Sequence, residues 1–216
     1  MAGSSGESPA PISRHARRRA RTRAEIVAAA NRLFTEKGYL GTSVEDISEA
    51  ADIATRTIYM HFPSKAAILL DYFDRWLDAL VSGILVRPVH EPIAEAILAA
   101  SRAMIADGWE DRSYDDLVGS PPSSLGLVVG PPEIAGHMMA AWAHAQDRII
   151  EDARLRGAYS ASSPEPLARA VTVFAACMAP IAAARLSLDR GEPLPEGSTS
   201  SSLNFEFARL LTRGNL

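Results

Sequence analysis

The chain is poor in the residues that several classes of protein require. Its 216 residues include one cysteine, Cys177, which excludes an intrachain disulfide and with it a disulfide-stapled secreted domain. The amino-terminal stretch lacks the apolar core of a secretory signal, so we expect none. The charge-free run Ala170–Ala184 contains Pro180 and is 15 residues long, whereas a bilayer span needs roughly 18–20 apolar residues. We therefore expect a buried helix there, no membrane partner and a cytoplasmic protein.

Motifs for catalysis are also missing. The chain has no nucleophile elbow, no phosphate-binding loop and no HExxH zinc motif, so we expect neither enzymatic activity nor a cofactor. His137 and His144 share a helical face, seven residues apart, but the sequence offers no third ligand beside them. We therefore expect no metal site, and an enzyme with a helical body is the weakest functional hypothesis.

Positive charge is scarce overall but concentrated near the amino terminus. The net charge is −4, which by itself argues against a nucleic-acid-binding protein. Residues 1–65 carry ten Lys and Arg against seven Asp and Glu, whereas residues 66–216 carry twelve against nineteen. Because charges act over a Debye length of about 8–10 Å, the local excess is more informative than the total.

Apolar residues make up 47% of the chain, which is enough for a buried core. They recur at helical spacing, and no segment shows the alternation of a strand. We therefore expect an all-α protein of about nine helices.

Capping signals mark the first helix ends. A capping box at Thr22–Glu25 would begin the first helix, Gly38 would end it, and a box at Thr42–Glu45 would begin the second. The other expected helices lie at about 54–61, 64–88, 92–107, 133–156, 164–190 and 202–212, with a further short helix considered at 125–129.

The most informative segment lies between Thr42 and Lys65. It reads as two short helices joined by a tight turn, followed by the start of another helix. A cluster of arginines lies just upstream and consists of Arg14, Arg17, Arg18, Arg19, Arg21 and Arg23. Two short helices with polar and basic residues at the start of the second are the parts of a helix-turn-helix that binds the DNA major groove.

This segment resembles the TetR/AcrR family of bacterial transcriptional regulators over roughly residues 22–70. The matching positions are Leu33, Phe34, Gly38, Tyr39, Thr42, Ser43, Val44, Ile47, Ala51, Thr57, Ile58, Tyr59, His61, Phe62, Ser64 and Lys65. Beyond Leu70 the resemblance is only architectural. It implies an amino-terminal three-helix helix-turn-helix DNA-binding domain, followed by a larger helical domain for ligand binding and dimerisation.

The resemblance also implies roles for individual residues. Those expected at the DNA backbone are Thr42, Ser43, Tyr59, His61 and Lys65. Lys65 lies beside the start of a helix, where a phosphate binds favourably. Those expected at base edges are Thr55, Arg56, Thr57 and Met60, with Arg56 able to pair with a guanine. We expect Arg17, Arg18, Arg19 and Arg21 to bind phosphates or the minor groove.

Three positions depart from the family pattern. Asp52 stands where the turn usually has glycine, and Asp tolerates a left-handed backbone better than most residues. Ala54 replaces a capping serine, so that Thr55 is an alternative cap that would start the helix one residue later. Arg56 replaces a frequent glycine and adds positive charge at the groove.

Large and soft side chains in the middle of the chain suggest an effector pocket between helices. The candidates are Tyr72, Trp76, Met104, Trp109, Met138, Trp142, Phe174 and Met178, for which a plain core role is the alternative. Small and apolar residues on the last two helices suggest a dimer interface. The candidates there are Ala176, Ala183, Leu203, Phe207 and Leu210, for which an intramolecular core is the alternative.

These patterns divide the chain into a disordered basic arm (1–20), a helix-turn-helix DNA-binding domain (21–65) and a helical effector-binding and dimerisation domain (66–216). The favoured function is a homodimeric repressor that a small-molecule effector releases from double-stranded operator DNA. A transcriptional activator of the same fold and a nonspecific architectural DNA-binding protein are the alternatives.

Overall fold

The computed structural model describes residues 13–109, 131–157, 159–190 and 199–212. These ranges contain nine α-helices, which confirms the all-α fold. The helices are α1 (Arg14–Lys37), α2 (Val44–Ala51), α3 (Thr55–His61), α4 (Lys65–Leu69), α5 (Asp71–Leu85), α6 (Ile93–Ala106), α7 (Pro132–Arg156), α8 (Glu165–Arg190) and α9 (Ser200–Thr212).

The chain forms two compact units, Met1–Asp71 and Tyr72–Leu216. The first unit therefore extends six residues beyond the boundary expected at residue 65. Ala67 and Ile68 account for the extension, because both are buried in the core of the first unit. That core also includes Ile26 of α1, Ile47 of α2 and Ile58 of α3.

The first helix begins earlier than expected. It starts at Arg14, where the Ser13 hydroxyl caps it by accepting a hydrogen bond from the Ala16 amide at 3.2 Å. The capping box at Thr22–Glu25 was therefore wrong, as was disorder for residues 14–20; the rest of the expected arm, 1–12, lies outside the described residues. Gly38 ends α1 as expected, with a positive φ of 74° that favours glycine.

The turn between α2 and α3 has the expected form. Asp52 ends α2 in the left-handed region, at φ 54° and ψ 43°, and so replaces the usual glycine. Helix α3 starts at Thr55, with Ala54 as its cap and no capping side chain. The later start, with Thr55 as the cap, is therefore not seen, and the base-edge candidates lie at the start of α3 as the expected helix of about 54–61 predicts.

The fourth helix is interrupted where an unbroken one was expected. Helix α4 ends at Leu69, Leu70 takes φ −92° and ψ 10°, and α5 begins at Asp71. The amide of Leu70 donates a hydrogen bond to the Ala66 carbonyl, which completes the last turn of α4. Burial of five consecutive residues, from Ala66 to Leu70, shows why one amphipathic stripe could not describe this segment.

The described residues of the second unit form five packed helices, α5 to α9. Helix α8 packs against α9, α7 and α6, and α9 packs against α6. Gly83 lets α5 approach α6 closely, because a Cβ there would lie 2.9 Å from that of Ala100. The helix boundaries match the expected ones within about two residues from α6 to α9; the short helix considered at 125–129 lies outside the described residues.

Helix α8 is unusually apolar. By length and composition alone its segment Glu165–Ala183 could cross a membrane. Ala170, Val173, Ala176 and Cys177 on this segment belong to the core of the second unit. Its apolar character therefore has an explanation in the packing of the unit itself.

Candidate nucleic-acid interface

Helix α3 presents two different faces. Ile58 is fully buried, whereas Tyr59 and Met60 are 51% and 70% exposed and Arg56 is exposed as well. Arg56, Tyr59 and Met60 are spaced at i, i+3 and i+4, so they lie on one side of the helix. Thr55, Thr57 and His61 are half-buried beside them. The exposed face thus combines a guanidinium, a phenol and a flexible apolar side chain.

The start of α2 is closed by its own side chains. Ser43 caps the helix by accepting from the Asp46 amide at 3.0 Å, and the Asp46 carboxylate accepts from both the Ser43 amide and hydroxyl at 2.7 Å. The expected box was therefore displaced by one residue from Thr42–Glu45. These bonds from Ser43 hold the pKa of Asp46 below its usual value. A phosphate could reach the Ser43 amide only by displacing this carboxylate.

Thr42 is a structural residue. It is 2% exposed, and its hydroxyl donates to the carbonyls of Leu33 and Gly38 at 3.3 and 2.9 Å. A buried hydroxyl with two acceptors is not available to DNA, so the expected phosphate contact of the Thr42 side chain was wrong. The residue instead fixes the segment between α1 and α2.

Lys65 also has partners inside the protein. Its Nζ donates to the carbonyls of Tyr39 and Thr42, both at 2.8 Å. The same nitrogen lies 4.1 Å from the centroid of the Tyr39 ring, a favourable cation–π distance. Lys65 therefore ties the start of α4 to the segment that precedes α2, and one of its three N–H groups remains for a phosphate.

The arginines at the amino-terminal end lie on α1. Arg17, Arg18, Arg19 and Arg21 are all exposed, and Arg21 forms an i,i+4 ion pair with Glu25 at 2.9 Å. A helix holds these groups at fixed spacing, unlike the disordered arm that we expected. The positive charge is therefore anchored to the same unit as α3.

His61, at the end of α3, lies in a positively charged setting. Its Nδ1 is buried and has no hydrogen-bond partner among the described residues. Burial, followed by the charges of Arg19 and Arg23, lowers the pKa of His61 from its ordinary value. We therefore expect a neutral imidazole at neutral pH, which an approaching phosphate would help to protonate.

Arg23 has a role that the sequence did not reveal. It donates to Asp71 and to the main-chain carbonyl of His61, and its guanidinium lies 4.0 Å above the Phe62 ring. A signal was present, because Arg23 precedes Ile26 by three residues and Ala30 by seven. That spacing places it towards the buried face of α1.

The expected effector-pocket residues all belong to the second unit. Met104, Met138 and Trp142 are buried there, and Trp76, Trp109, Phe174 and Met178 pack against the same core. Tyr72 is 36% exposed and its ring lies 5.5 Å from that of Trp109. The indole Nε1 of Trp142 is buried without a hydrogen-bond partner among the described residues.

A cleft of about 310 Å³ lies between α5 and α7, apart from these candidates. Two polar pairs border it: His137 is hydrogen-bonded to Asp74 at 2.8 Å, and Arg148 forms an ion pair with Asp78 at 2.6 Å. His144 lies at its edge, as part of the lining. Within the described ranges, no group of three His, Cys, Asp or Glu residues is arranged to hold a metal.

The expected dimer residues divide between core and surface. Ala176 is fully buried in the second unit, so its assignment to an interface was wrong. Phe207 is exposed, whereas Ala183, Leu203 and Leu210 are half-buried. Leu211 on α9 is also exposed, and sequence analysis missed two exposed apolar residues on α8, Leu167 and Val171.

Comparison with known proteins places the strongest similarity in the first unit. A family model described as bacterial regulatory proteins, tetR family, matches residues 26–72. The regulator TcmR of Streptomyces glaucescens is 35% identical over 85 residues, which cover 39% of this chain and 38% of that protein. EthR of Mycolicibacterium smegmatis is 30% identical over 142 residues, 62% of each chain. The matches thus span less than two thirds of these relatives.

A solved structure extends the likeness to most of the chain. Thermus thermophilus FadR, a TetR-family transcriptional repressor solved with lauroyl-CoA, aligns with 90% of this chain and 95% of its own. The TM-score is 0.51 and the identity 22%, which establishes a shared fold. The family model matches residues 26–72, so the first unit is similar to the DNA-binding segment of the tetR family of bacterial regulatory proteins.

Proposed function

We propose that this protein is a homodimeric transcriptional repressor that binds operator DNA through α3 and leaves it when a small-molecule effector binds. The observation that carries the proposal is the exposed face of Arg56, Tyr59 and Met60 on a short helix whose other side is buried. A helix presented in this way can enter the major groove and contact base edges. We expect the protein to act in the bacterial cytoplasm and to lie on the nucleoid when bound to DNA.

Two copies are needed for specific binding. Helix α3 has seven residues, so one copy reaches only a few base pairs, and dimers of such proteins bind half-sites about 34 Å apart. Helix α8 exposes Leu167 and Val171 at i and i+4, and α9 exposes Phe207 and Leu211 at the same spacing. We propose these two apolar stripes as the dimer surface, because exposed apolar patches mark association sites.

The effector site is proposed around Trp142. A buried N–H without an acceptor costs about 1–3 kcal/mol, and a ligand carbonyl or ether oxygen would remove that cost. The aromatic rings of Phe73 and Phe174 lie 6.4 and 5.3 Å from the Trp142 ring and would offer an apolar lining. An effector that prefers one conformation of the dimer would then shift it away from the DNA-bound state.

The test is selection of genomic DNA fragments by the purified protein, followed by titration of the selected sequence. A specific regulator is expected to bind one inverted-repeat sequence at least about 10³-fold more tightly than unrelated DNA. Equal affinity for all fragments would instead indicate nonspecific binding. The sign of regulation follows from transcription of the adjacent gene with and without the protein.

A further inference from the structure

The carboxyl end of α3 is held by one side chain from another helix. Arg23 of α1 donates through Nη1 to the main-chain oxygen of His61 at 2.8 Å. Its guanidinium also lies over the ring of Phe62, the residue that ends α3. A cation at this position is favourable, because the last carbonyls of a helix carry partial negative charge.

Arg23 is itself fixed by Asp71. The Asp71 Oδ1 accepts from both Nε and Nη2 of Arg23 at 2.7 Å. The Asp71 side chain is only 8% exposed and that of Arg23 is 35% exposed. A guanidinium fixed by two bonds to a buried carboxylate has little freedom, so its third contact, the His61 carbonyl, is fixed as well.

Other local features leave α3 in need of this contact. The helix has only seven residues, and no side chain caps its start at Ala54. Short helices gain most of their stability from tertiary contacts. The described contacts of its far end are those of Ile58 and Phe62 with the core and the bond from Arg23.

We propose that Arg23 and Asp71 form a positioning pair that sets the orientation of α3 and thereby the affinity for operator DNA. Arg23 acts through the His61 carbonyl and Asp71 acts through Arg23; neither needs to touch DNA. This role differs from that expected of Arg17, Arg18, Arg19 and Arg21, which are exposed on the same helix. Because it presupposes the DNA binding proposed above, wild-type binding is measured first.

Two conservative variants distinguish a role of the pair in positioning α3 from a simple effect of its charge on DNA binding. Arg23→Lys keeps the positive charge but cannot reproduce the planar set of three bonds. Asp71→Asn removes a negative charge, so electrostatics alone would strengthen binding to DNA. If the pair acts by position, both variants weaken operator binding at least about tenfold, whereas affinity for unrelated DNA stays within about twofold.

The salt dependence of binding provides the second readout. Each phosphate contact that is lost lowers the slope of log affinity against log salt by about one. We expect Arg23→Lys and Asp71→Asn to leave this slope unchanged. The matched control is Arg19→Ala, an exposed arginine on α1, which should lower the slope and weaken all DNA alike.

Hydrogen exchange of the free protein separates a local change at α3 from a general loss of stability in a variant. We expect Arg23→Lys to speed exchange of the amides from residues 58 to 62, with α2 unchanged. The positioning role would be overturned if Arg23→Lys kept its operator affinity or if Asp71→Asn bound more tightly. A reduced salt slope in either variant, or unchanged hydrogen exchange in Arg23→Lys, would also overturn it. Failure of the wild-type protein to bind any DNA would overturn the proposed function instead.

Discussion

The two units of this protein use their side chains in different ways. In the first unit, polar groups that the sequence pointed to DNA are largely engaged within the protein: Thr42 with two carbonyls, Ser43 with Asp46, and Lys65 with two more carbonyls. In the second unit, the large residues that the sequence pointed to a ligand are packed into the core. The face of α3 that carries Arg56, Tyr59 and Met60, by contrast, keeps its side chains exposed.

The difference lies in what each prediction was based on. In the first unit a spaced motif identified α2, α3 and the turn between them, although α1 begins earlier than expected and the fourth helix is broken at Leu70. In the second unit only composition was available, and an aromatic residue that lines a pocket has the same composition as one that fills a core. Among the described residues, the buried Nε1 of Trp142 has no hydrogen-bond partner, and this structural observation favours a ligand over plain packing.

The largest expected effect would sharpen the role given to the second unit. Val171→Asp combined with Leu211→Asp places charges in the proposed dimer surface, where burial without a partner is costly. We expect the dimer to dissociate, which light scattering measures. Operator affinity should fall by about 10²-fold or more, because a monomer contacts only one half-site.

Leu155→Asp is the matched control, since Leu155 is 78% exposed on α7 and lies outside the proposed surface. An unchanged oligomeric state in the double variant would remove α8 and α9 as the interface.

The next effect concerns Lys65. Lys65→Met keeps a long apolar side chain but removes both bonds to the carbonyls of Tyr39 and Thr42. A hydrogen bond to a charged group contributes about 1.5–3 kcal/mol, so we expect the free energy of unfolding to fall by about 2–4 kcal/mol. Chemical denaturation measures it.

Lys37→Met is the control, because the pair of Lys37 with Asp46 is long, at 3.8 Å, and exposed. Exposed pairs contribute about 0–1 kcal/mol. Equal free energies of unfolding for the two variants would mean that Lys65 does not stabilise the fold, and would favour the phosphate contact that the sequence suggested.

Much of the fold follows from the sequence, and the errors have local causes. Gly38 and Pro88 mark helix ends in the sequence, and the core residues Ile26, Ala30 and Leu33 recur at helical spacing. The break at Leu70 was missed because no glycine or proline stands there. Burial on all sides of α4 removed the periodic signal that would have shown it.

The site was only partly predictable for a similar reason. Exposure of Arg56, Tyr59 and Met60 follows from their spacing around buried Ile58. The partners of Thr42, Lys65 and Arg23 are four to forty-eight residues away along the chain, and all except Gly38 are at least nine residues away. Such contacts depend on tertiary packing, and the local pattern of a single sequence does not show which distant residues will meet.

A smaller effect separates base contacts from charge. Arg56→Ala should reduce discrimination at one base pair per half-site by about 1–3 kcal/mol, because a bidentate pair with guanine is lost. Binding to a library of single-base operator variants measures it.

Arg32→Ala is the control, since Arg32 is an exposed arginine on α1. Equal preferences in the two variants would exclude Arg56 from sequence recognition.

The smallest expected effect is a pH dependence at His61. Its pKa is lowered in the folded protein, so between that pKa and the ordinary value near 6.5 the unfolded chain binds more protons. Stability should therefore fall as the pH drops through this window and be unaffected above it. Denaturation of His61→Asn between pH 5 and 8 should show a shallower slope; an identical slope would mean that another group is responsible.

The most direct test of the central claim is a binding titration of the selected genomic fragment against a scrambled duplex of the same length and composition, across a range of salt concentrations. We predict tight binding to the fragment, at least about 10³-fold weaker binding to the scrambled duplex, and a fall in both with rising salt. Equal affinity for the two duplexes, or no binding to either at low salt, would contradict the assignment of α3 as a sequence-specific DNA-binding helix.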